Sequence, residues 1–309
     1  MATITLQTPD KQPDAGFAIT PVYERLLIGD QNMPLGLYHF HLMTAAQLTR
    51  LHYSEGSVKH VKALLKVLVD HGYVQEDWTP TRLLRSPYLY MPTQRTIDYL
   101  RSELRWDLPD RLRVGKEEGK GYLHIEHEKG LNDVVISAAL LKWHAPSYHL
   151  ETFIHHRELG RNPYPTRCEG TLYNLVPDAF LELRKLLPNG RFARYPILLE
   201  HDRGSEQRKQ FRHKIRAYIM MLKAQAYKDR FNVSTDSMTI AFTTFEGEKR
   251  REQLRAWTSE ELQGEAQSLA ASFLFTAQLR PPDPMHVWLT PCWYPVAMEA
   301  KPIALLAEG

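Results

Sequence analysis

Residues 177–206 read PDAFLELRKLLPNGRFARYPILLEHDRGSE. Two β-prone runs meet here, TLYNLVPDAFLEL (171–183) and ARYPILLEHD (193–202), and the turn-forming residues Leu187–Arg191 lie between them. β-Branched and aromatic residues bounded by turn residues are typical of strands. The stretch therefore predicts two neighbouring strands joined by a hairpin.

Helical and strand-like segments alternate on either side of this hairpin. The order α, β, β, β, α, β, α, β predicts an α/β (α+β) domain with a mixed sheet that is covered on both faces. The remaining segments are a helix from about Glu128 to Trp143 with Val134, Val135, Ala138 and Leu141 inward, a strand ETFIHHREL, a long helix from about Ser205 to Arg230, a strand SMTIAFTT (237–244), a helix from Glu248 to Trp257 and onward, and a last strand MHVWLT.

The N-terminal part of the chain has a different pattern. After a tail at 1–20, helices are predicted at Val22–Ile28, after a Thr44 cap and after a Ser57 cap, followed by strands at Tyr73–Gln75 and Tyr88–Met91 and a closing helix from about Thr93 to Leu104. This order resembles a winged helix-turn-helix. We predict this domain at 21–105, a linker at 106–122 and the mixed-sheet domain at 123–309.

In a winged helix-turn-helix the third helix lies in the DNA major groove and the wing touches the backbone. The resemblance makes one set of polar residues the candidates for DNA contact: Ser57, Lys59, His60, Lys62 and Lys66 on the helix, with Arg82 and Arg85 on the wing. The alternative is a three-helix scaffold that serves for dimerisation.

Composition restricts the class of protein. Hydrophobic residues make up 43% and charged residues 24%, which is typical of a globular chain. No run of about 18 apolar residues and no signal-like N-terminus occurs, so we predict no membrane span and no secretion. Two cysteines, Cys168 and Cys292, fit a reducing cytoplasm. The formal charge is only +3, but residues 203–230 hold nine basic side chains against two acidic ones.

Acidic residues gather at the ends of the two central strands. Glu200 and Asp202 alternate on one strand, and a neighbouring strand can bring Asp178 against them. Three crowded carboxylates repel one another, and a divalent cation is the usual remedy, so we predict Mg²⁺ or Mn²⁺ bound by these three residues. Lys214 on the following helix can point back to stabilise a phosphate. The alternative is that the acids only flank a helix start and a turn.

Asp178 after Pro177, Glu200-x-Asp202 and the helical Lys214 together resemble the PD-(D/E)xK nuclease superfamily. In the usual pattern a lysine stands where this chain has Asp202, so the resemblance places the lysine at Lys214, a migration also seen in members that bind without cutting. By the same analogy Glu128 is an accessory metal or base residue.

The whole arrangement resembles the replication-relaxation family of plasmid mobilisation and replication. The likeness covers about residues 21–257, and its most specific pieces are HEKGLNDV, PDA, LEHDRGSE and the spacing of Lys214 and Tyr218.

Two functions follow from this resemblance. The first is a DNA-binding protein that nicks DNA with a divalent metal. The second is a non-catalytic accessory protein or regulator that binds duplex DNA and assembles with a relaxase or replication protein, with a homodimer as a further option. The two differ in whether the carboxylates and Lys214 converge in an open cleft or are held in internal salt bridges.

Overall fold

A computed structural model describes residues 33–54, 56–78, 87–102, 121–168 and 170–306. The chain divides into two compact units, Met1–Ala139 and Leu140–Gly309. The division falls inside a helix, Tyr122–His144. Most of the linker predicted at 106–122 lies outside the described residues, so its place stays a prediction. The predicted tail at 1–20 and the predicted helix Val22–Ile28 also lie outside them.

The first unit is mainly helical with a small sheet. Its elements are α1 (Met33–Phe40), β1 (Met43–Thr44), α2 (Ala45–His52), α3 (Val58–Asp70), β2 (Val74–Trp78), β3 (Tyr88–Pro92), α4 (Gln94–Ser102) and the first part of α5 (Tyr122–His144). The three strands pair antiparallel in the order β1-β3-β2. The predicted helices after Thr44 and Ser57, the two strands and the closing helix are thereby confirmed.

Local sequence explains where α2 begins. The Thr44 hydroxyl accepts from the backbone N–H of Gln47 at 3.2 Å, and the Gln47 side chain accepts from the Thr44 N–H at 3.0 Å. This reciprocal pair is a capping box. Gln47 also donates to the Lys129 carbonyl and to Asp133 on α5, which joins α2 to that helix.

The second unit contains a six-stranded mixed sheet. Its elements are the rest of α5, β4 (Tyr148–His155), α6 (His156–Leu159), β5 (Tyr164–Cys168), β6 (Thr171–Leu175), β7 (Ala179–Leu186), β8 (Phe192–Asp202), α7 (Arg208–Lys223), α8 (Tyr227–Phe231), β9 (Thr239–Thr244), α9 (Glu248–Glu261), a 3₁₀ helix (Gly264–Ser272), β10 (Phe273–Ala277), α10 (Pro284–Leu289) and β11 (Tyr294–Pro295). The strand order is β11-β10-β9-β8-β7-β4, and β5 and β6 form a separate hairpin.

The mixed character of the sheet is confirmed at its centre. β8 pairs antiparallel with β7 and parallel with β9, and β9 pairs parallel with β10. α7 packs on the sheet through Phe211, whose ring centroid lies 5.2 Å from that of Phe242. Phe242 in turn stacks on Phe275 at 5.0 Å. This aromatic core fixes α7 over the end of β8.

Four sequence predictions for this unit need correction. The segment TLYNLVPDAFLEL forms two strands, β6 and β7, because residues 176–178 between them are not in strand conformation. The end of ETFIHHREL forms the short helix α6. The long helix predicted to Arg230 ends at Lys223 and is followed by α8. MHVWLT lies mostly in α10, because Asp283 caps a helix that starts at Pro284, and the sheet strand there is β10 instead.

No helix in the described part of the chain is long and apolar enough to cross a membrane.

Candidate functional site

Asp178 and Glu200 meet at the start of β7 and near the end of β8. The antiparallel register pairs Ala179 with Leu199, which sets Asp178 opposite Glu200. One Asp178 oxygen, Oδ2, accepts the backbone N–H of His201 at 2.8 Å. The register thus brings the two residues side by side, and the charge of Asp178 contributes to the raised pKa of Glu200.

Two side chains from α7 reach down to Glu200. The Lys214 Nζ donates to Glu200 Oε2 at 2.8 Å and to Glu206 Oε2 at 3.0 Å. The Tyr218 hydroxyl donates to the other Glu200 oxygen, Oε1. We call Asp178, Glu200, Glu206, Lys214 and Tyr218 the Glu200 cluster. Both oxygens of Glu200 are engaged within it.

Burial governs the electrostatics of the cluster. Glu200 is 2% exposed, and burial raises its pKa to about 7 against the opposing attraction of Lys214, while Asp178 adds to the rise. Burial alone would lower the pKa of Lys214, but the charges of Glu200, Glu206 and Asp178 outweigh it and hold that pKa well above its usual value. Burial and Glu200 likewise raise the pKa of Tyr218. Lys214 is therefore the resident counter-charge.

Asp202 has a different partner. Arg250 on α9 binds both of its oxygens, Nε to Oδ2 at 2.7 Å and Nη2 to Oδ1 at 2.8 Å, and the Gly204 N–H donates to Oδ2 at 2.8 Å. Arg250 also donates to the Glu206 carbonyl at 2.9 Å, which ties the loop after β8 to α9. The bidentate contact accounts for the burial of Asp202.

This arrangement bears on the predicted metal site. Asp178, Glu200 and Asp202, all described residues, do not bring three carboxylate oxygens within 4.8 Å of one another. The expected crowding of three acids is therefore not found, because Arg250 holds Asp202 and Lys214 neutralises Glu200. The donors as placed do not fit an ion bound by all three carboxylates.

Glu128 lies in the first unit, on α5, and is fully buried. The Nε2 atom of His124, on the same helix, lies 3.6 Å from Glu128 Oε1. Glu128 thus belongs to a different unit from the residues of the Glu200 cluster.

The candidate DNA-contacting residues on α3 are largely at the surface. Lys59, His60, Lys62 and Lys66 are exposed, whereas Val61 and Leu65 on the same helix are fully buried. Ser57 is half-buried; it is the residue before the helix but makes no side-chain cap bond, and its hydroxyl lies 3.1 Å from that of Ser54. Arg82 and Arg85 lie outside the described residues.

The basic segment 203–230 is largely neutralised by the same unit. Arg208 binds Glu260 at 2.7 Å, and Arg212 and Arg216 both bind Glu261. Lys223 and Lys228 pair with Glu265 and Asp236. The density of cations in the sequence thus overstates the charge that this surface presents.

Sequence reasoning missed two members of this site. Glu206 stands in the loop after β8, in the same GSE segment that was noted for its resemblance, so its proximity to Lys214 had a local signal. Arg250 had none, since it reaches Asp202 from a different helix.

The fold and the Glu200 cluster define a two-unit mixed α/β protein with a buried ionic centre at the end of its central strand. A family model described as replication-relaxation matches residues 36–236, which is more than half of the chain. The protein belongs to the replication-relaxation family. The family suggests a role in the replication or relaxation of a plasmid or mobile element, with DNA or replication proteins as partners. No curated protein and no solved structure is detectably similar.

Proposed function

We propose that the protein is a cytoplasmic DNA-binding component of plasmid or mobile-element replication or mobilisation, and that its first unit binds duplex DNA as a winged helix. The observation that carries this proposal is the division of α3 into a buried side with Val61 and Leu65 and an exposed side with three lysines. The antiparallel order β1-β3-β2 around α2 and α3 supports the winged-helix interpretation.

The distribution of charge favours α3 over α7 as the DNA-binding helix. The arginines of α7 are paired with Glu260 and Glu261, so phosphate contacts there would have to displace existing partners. Lys59, Lys62 and Lys66 are exposed and follow one another at i, i+3 and i+7. These lysines can contact a phosphate backbone without breaking an ion pair of the kind that holds the α7 arginines.

A salt series with duplex DNA tests this proposal. Lys59→Ala/Lys62→Ala in the full chain should make the slope of log affinity against log salt shallower by about 1.8, since each lost phosphate contact contributes about 0.9. The matched control is Lys249→Ala/Lys301→Ala, which removes two exposed lysines of the second unit. An unchanged slope in the α3 variant would favour the dimerisation scaffold, which analytical ultracentrifugation would reveal as a homodimer.

A second candidate function is DNA nicking with Mg²⁺ or Mn²⁺. The proximity of Asp178 and Glu200, with Lys214 beside them, supports it. The ion pairs of Lys214 and Arg250 speak for the non-catalytic alternative, in which the second unit assembles with a relaxase or replication protein.

Supercoiled plasmid incubated with Mg²⁺, Mn²⁺ or EDTA separates these two alternatives. If the protein nicks, the activity should need the ion and should vanish in Asp178→Asn and in Glu200→Gln while DNA binding persists. Nicking that survives in the double variant Asp178→Asn/Glu200→Gln would mean a contaminant or a different active site. Complete absence of nicking with every ion would leave the accessory role, and co-sedimentation with the element's relaxase or replication protein would test that role.

A further inference from the structure

The hairpin between β7 and β8 carries an unusual concentration of charge. Its segment 184–194 reads RKLLPNGRFAR, with four basic residues and no acidic one. A run of basic residues on one short element is a feature of polyanion-binding proteins.

The tip of this hairpin is apolar. Leu186 and Phe192 stand directly opposite each other in the β7–β8 register, and they are 47% and 48% exposed. A single exposed apolar side chain is ordinary. Leu186 and Phe192, however, form a cross-strand pair at the last ladder position before the turn, within a basic segment. Together they make a continuous apolar edge that faces solvent.

The tip is held in a fixed conformation. The Leu187 N–H donates to the Arg191 carbonyl at 2.8 Å, and the Gly190 N–H donates to the Leu187 carbonyl at 2.9 Å. Gly190 has φ +77°, a conformation that favours glycine. The Phe192 ring is braced edge-on against His149, with centroids 5.5 Å apart. Such a tip can enter a partner with little loss of conformational entropy.

The four basic residues divide into two pairs. Arg184 and Arg194 both bind the buried Glu182, so they mainly anchor the base of the hairpin. Arg191 is exposed at the turn, and the Lys185 ammonium lies 5.3 Å from the Tyr148 ring centroid. Lys185 and Arg191 directly adjoin Leu186 and Phe192 in the sequence, and because side chains alternate along a strand, Lys185 lies on the opposite face of β7 from Leu186.

We propose that this hairpin is a DNA-bending arm. Leu186 and Phe192 enter a base step of duplex DNA from the minor groove and kink it, while Lys185 and Arg191 contact the flanking phosphates. Proteins that bend DNA through the minor groove use leucine, phenylalanine and similar side chains as wedges in this way, with basic residues beside them. The inference rests on the proposed DNA-binding function and adds a second contact, in the second unit.

A duplex labelled at both ends tests the arm by energy transfer. The full-length protein should raise the transfer as the ends approach. Leu186→Ser/Phe192→Ser should abolish most of that rise and weaken binding roughly fivefold or more, as expected for lost stacking on bases, without changing the salt slope. Lys185→Ala/Arg191→Ala should make the salt slope shallower by about 1.8. Leu186 and Phe192 are about half exposed and Phe192 contacts His149, so the melting temperature of each variant is measured alongside, and a folded tip variant that still bends DNA overturns the proposal.

Two further variants keep this inference separate from the proposed function. Leu172→Ser changes a leucine that is 61% exposed on the β5–β6 hairpin, and it should bend DNA like the wild type. Lys59→Ala/Lys62→Ala should bind more weakly but still bend DNA at saturating protein. If the tip variant bends DNA fully, or if Leu172→Ser fails equally, the arm is refuted while DNA binding stands. A wild-type protein that does not bind duplex DNA would refute both.

Discussion

Glu200 is a charged side chain at a position where water is almost absent. Burial of a carboxylate is costly, and two donors, Lys214 and Tyr218, offset that cost by engaging one oxygen each. Both donors are needed to offset the cost of burial, because a buried carboxylate without hydrogen-bond partners loses its solvation and gains nothing in return. The folded state is therefore sensitive to the loss of either partner.

Lys214→Met should destabilise the protein by about 3 kcal/mol at pH 7, since it leaves Glu200 buried without its cation. The pKa of Glu200 is already about 7 with Lys214 present, and removing the lysine should raise it further. The wild type and the variant both gain stability as the pH falls from 7 towards 4.5, because in each the folded chain holds the Glu200 proton more tightly than the unfolded chain does. The stability deficit of the variant should therefore grow as the pH rises above 7, where Glu200 of the wild type is ionised beside Lys214 while that of the variant still holds its proton. Urea unfolding at several pH values measures this growth.

The control for this substitution is Lys209→Met, which alters an exposed lysine of the same helix and should change stability by less than about 0.5 kcal/mol. Equal losses in the two variants, or a loss that does not depend on pH, would contradict the assignment of Lys214 as the counter-charge.

Two buried histidines in the first unit lead to an acid sensitivity. Burial lowers the pKa of His52 from 6.5 to about 3, and burial together with the charge of His52 lowers that of His39 well below its usual value. The unfolded chain takes up these protons at about pH 6.5 and the folded chain does not. The two neutral histidines therefore contribute fully to the free energy of unfolding above pH 6.5, and this contribution is lost as the pH falls. For His52 the loss is about 2 kcal/mol at pH 5.

Unfolding of His52→Leu at pH 7 and pH 5 checks this sign. The variant should lose less stability between the two values than the wild type does, whereas His71→Gln, at an exposed position, should follow the wild type. Equal losses of stability in His52→Leu and in the wild type between pH 7 and pH 5 would contradict the buried neutral His52.

At the scale of elements, α2 and α3 begin with two different kinds of N-cap. Thr44 makes a capping box with Gln47, whereas Ser57 makes no side-chain cap bond. Thr44→Ala should therefore cost about 1 kcal/mol and Ser57→Ala only a few tenths. Thermal unfolding of the two variants compares them directly, and a larger loss at Ser57 would mean that its hydroxyl caps α3 in solution.

The sequence predicted most of the elements that have one buried and one solvent-exposed face. It missed elements that are buried on every side. α3 showed a clear helical period because only part of it is buried. α1 is buried at all eight positions, so MPLGLYHF shows no period that would reveal a helix. In α10 the Asp283 cap and Pro284 were a stronger signal than the apolar run that suggested a strand.

The site shows the same division between local and distant causes. Strand alternation and helical spacing were enough to expect Asp178, Glu200 and Lys214 together, because all three belong to adjacent elements. The orientation of Asp202 was decided by Arg250 on α9, and no local pattern identifies which distant arginine meets which acid.

The protein as a whole is nearly neutral, so the arrangement of its charges matters more than their sum. Arg212 and Arg216 are tied to Glu261, whose side chain is only 7% exposed. Arg212→Ala/Arg216→Ala should lower stability by about 1–3 kcal/mol, because Glu261 loses both partners, and should leave the salt slope of DNA binding unchanged. A shallower slope in a stable variant would instead make α7 a DNA-binding surface.

The contacts of Glu200 have a consequence for exchanging parts between relatives. Lys214 and Tyr218 stand one turn apart on α7, and each grips a different oxygen of the same carboxylate, so the helix has one insertion depth and one rotation at which both fit. Residues 200–218 therefore contain both partners of each of these contacts, and a chimaera that takes the whole segment keeps Glu200 bound to Lys214 and Tyr218. Asp202 lies in the same segment, but its ion-pair partner, Arg250, lies outside it. A graft that ends after α7 carries Asp202 without Arg250, so the recipient has to supply an arginine at that position or leave the buried carboxylate without its partner.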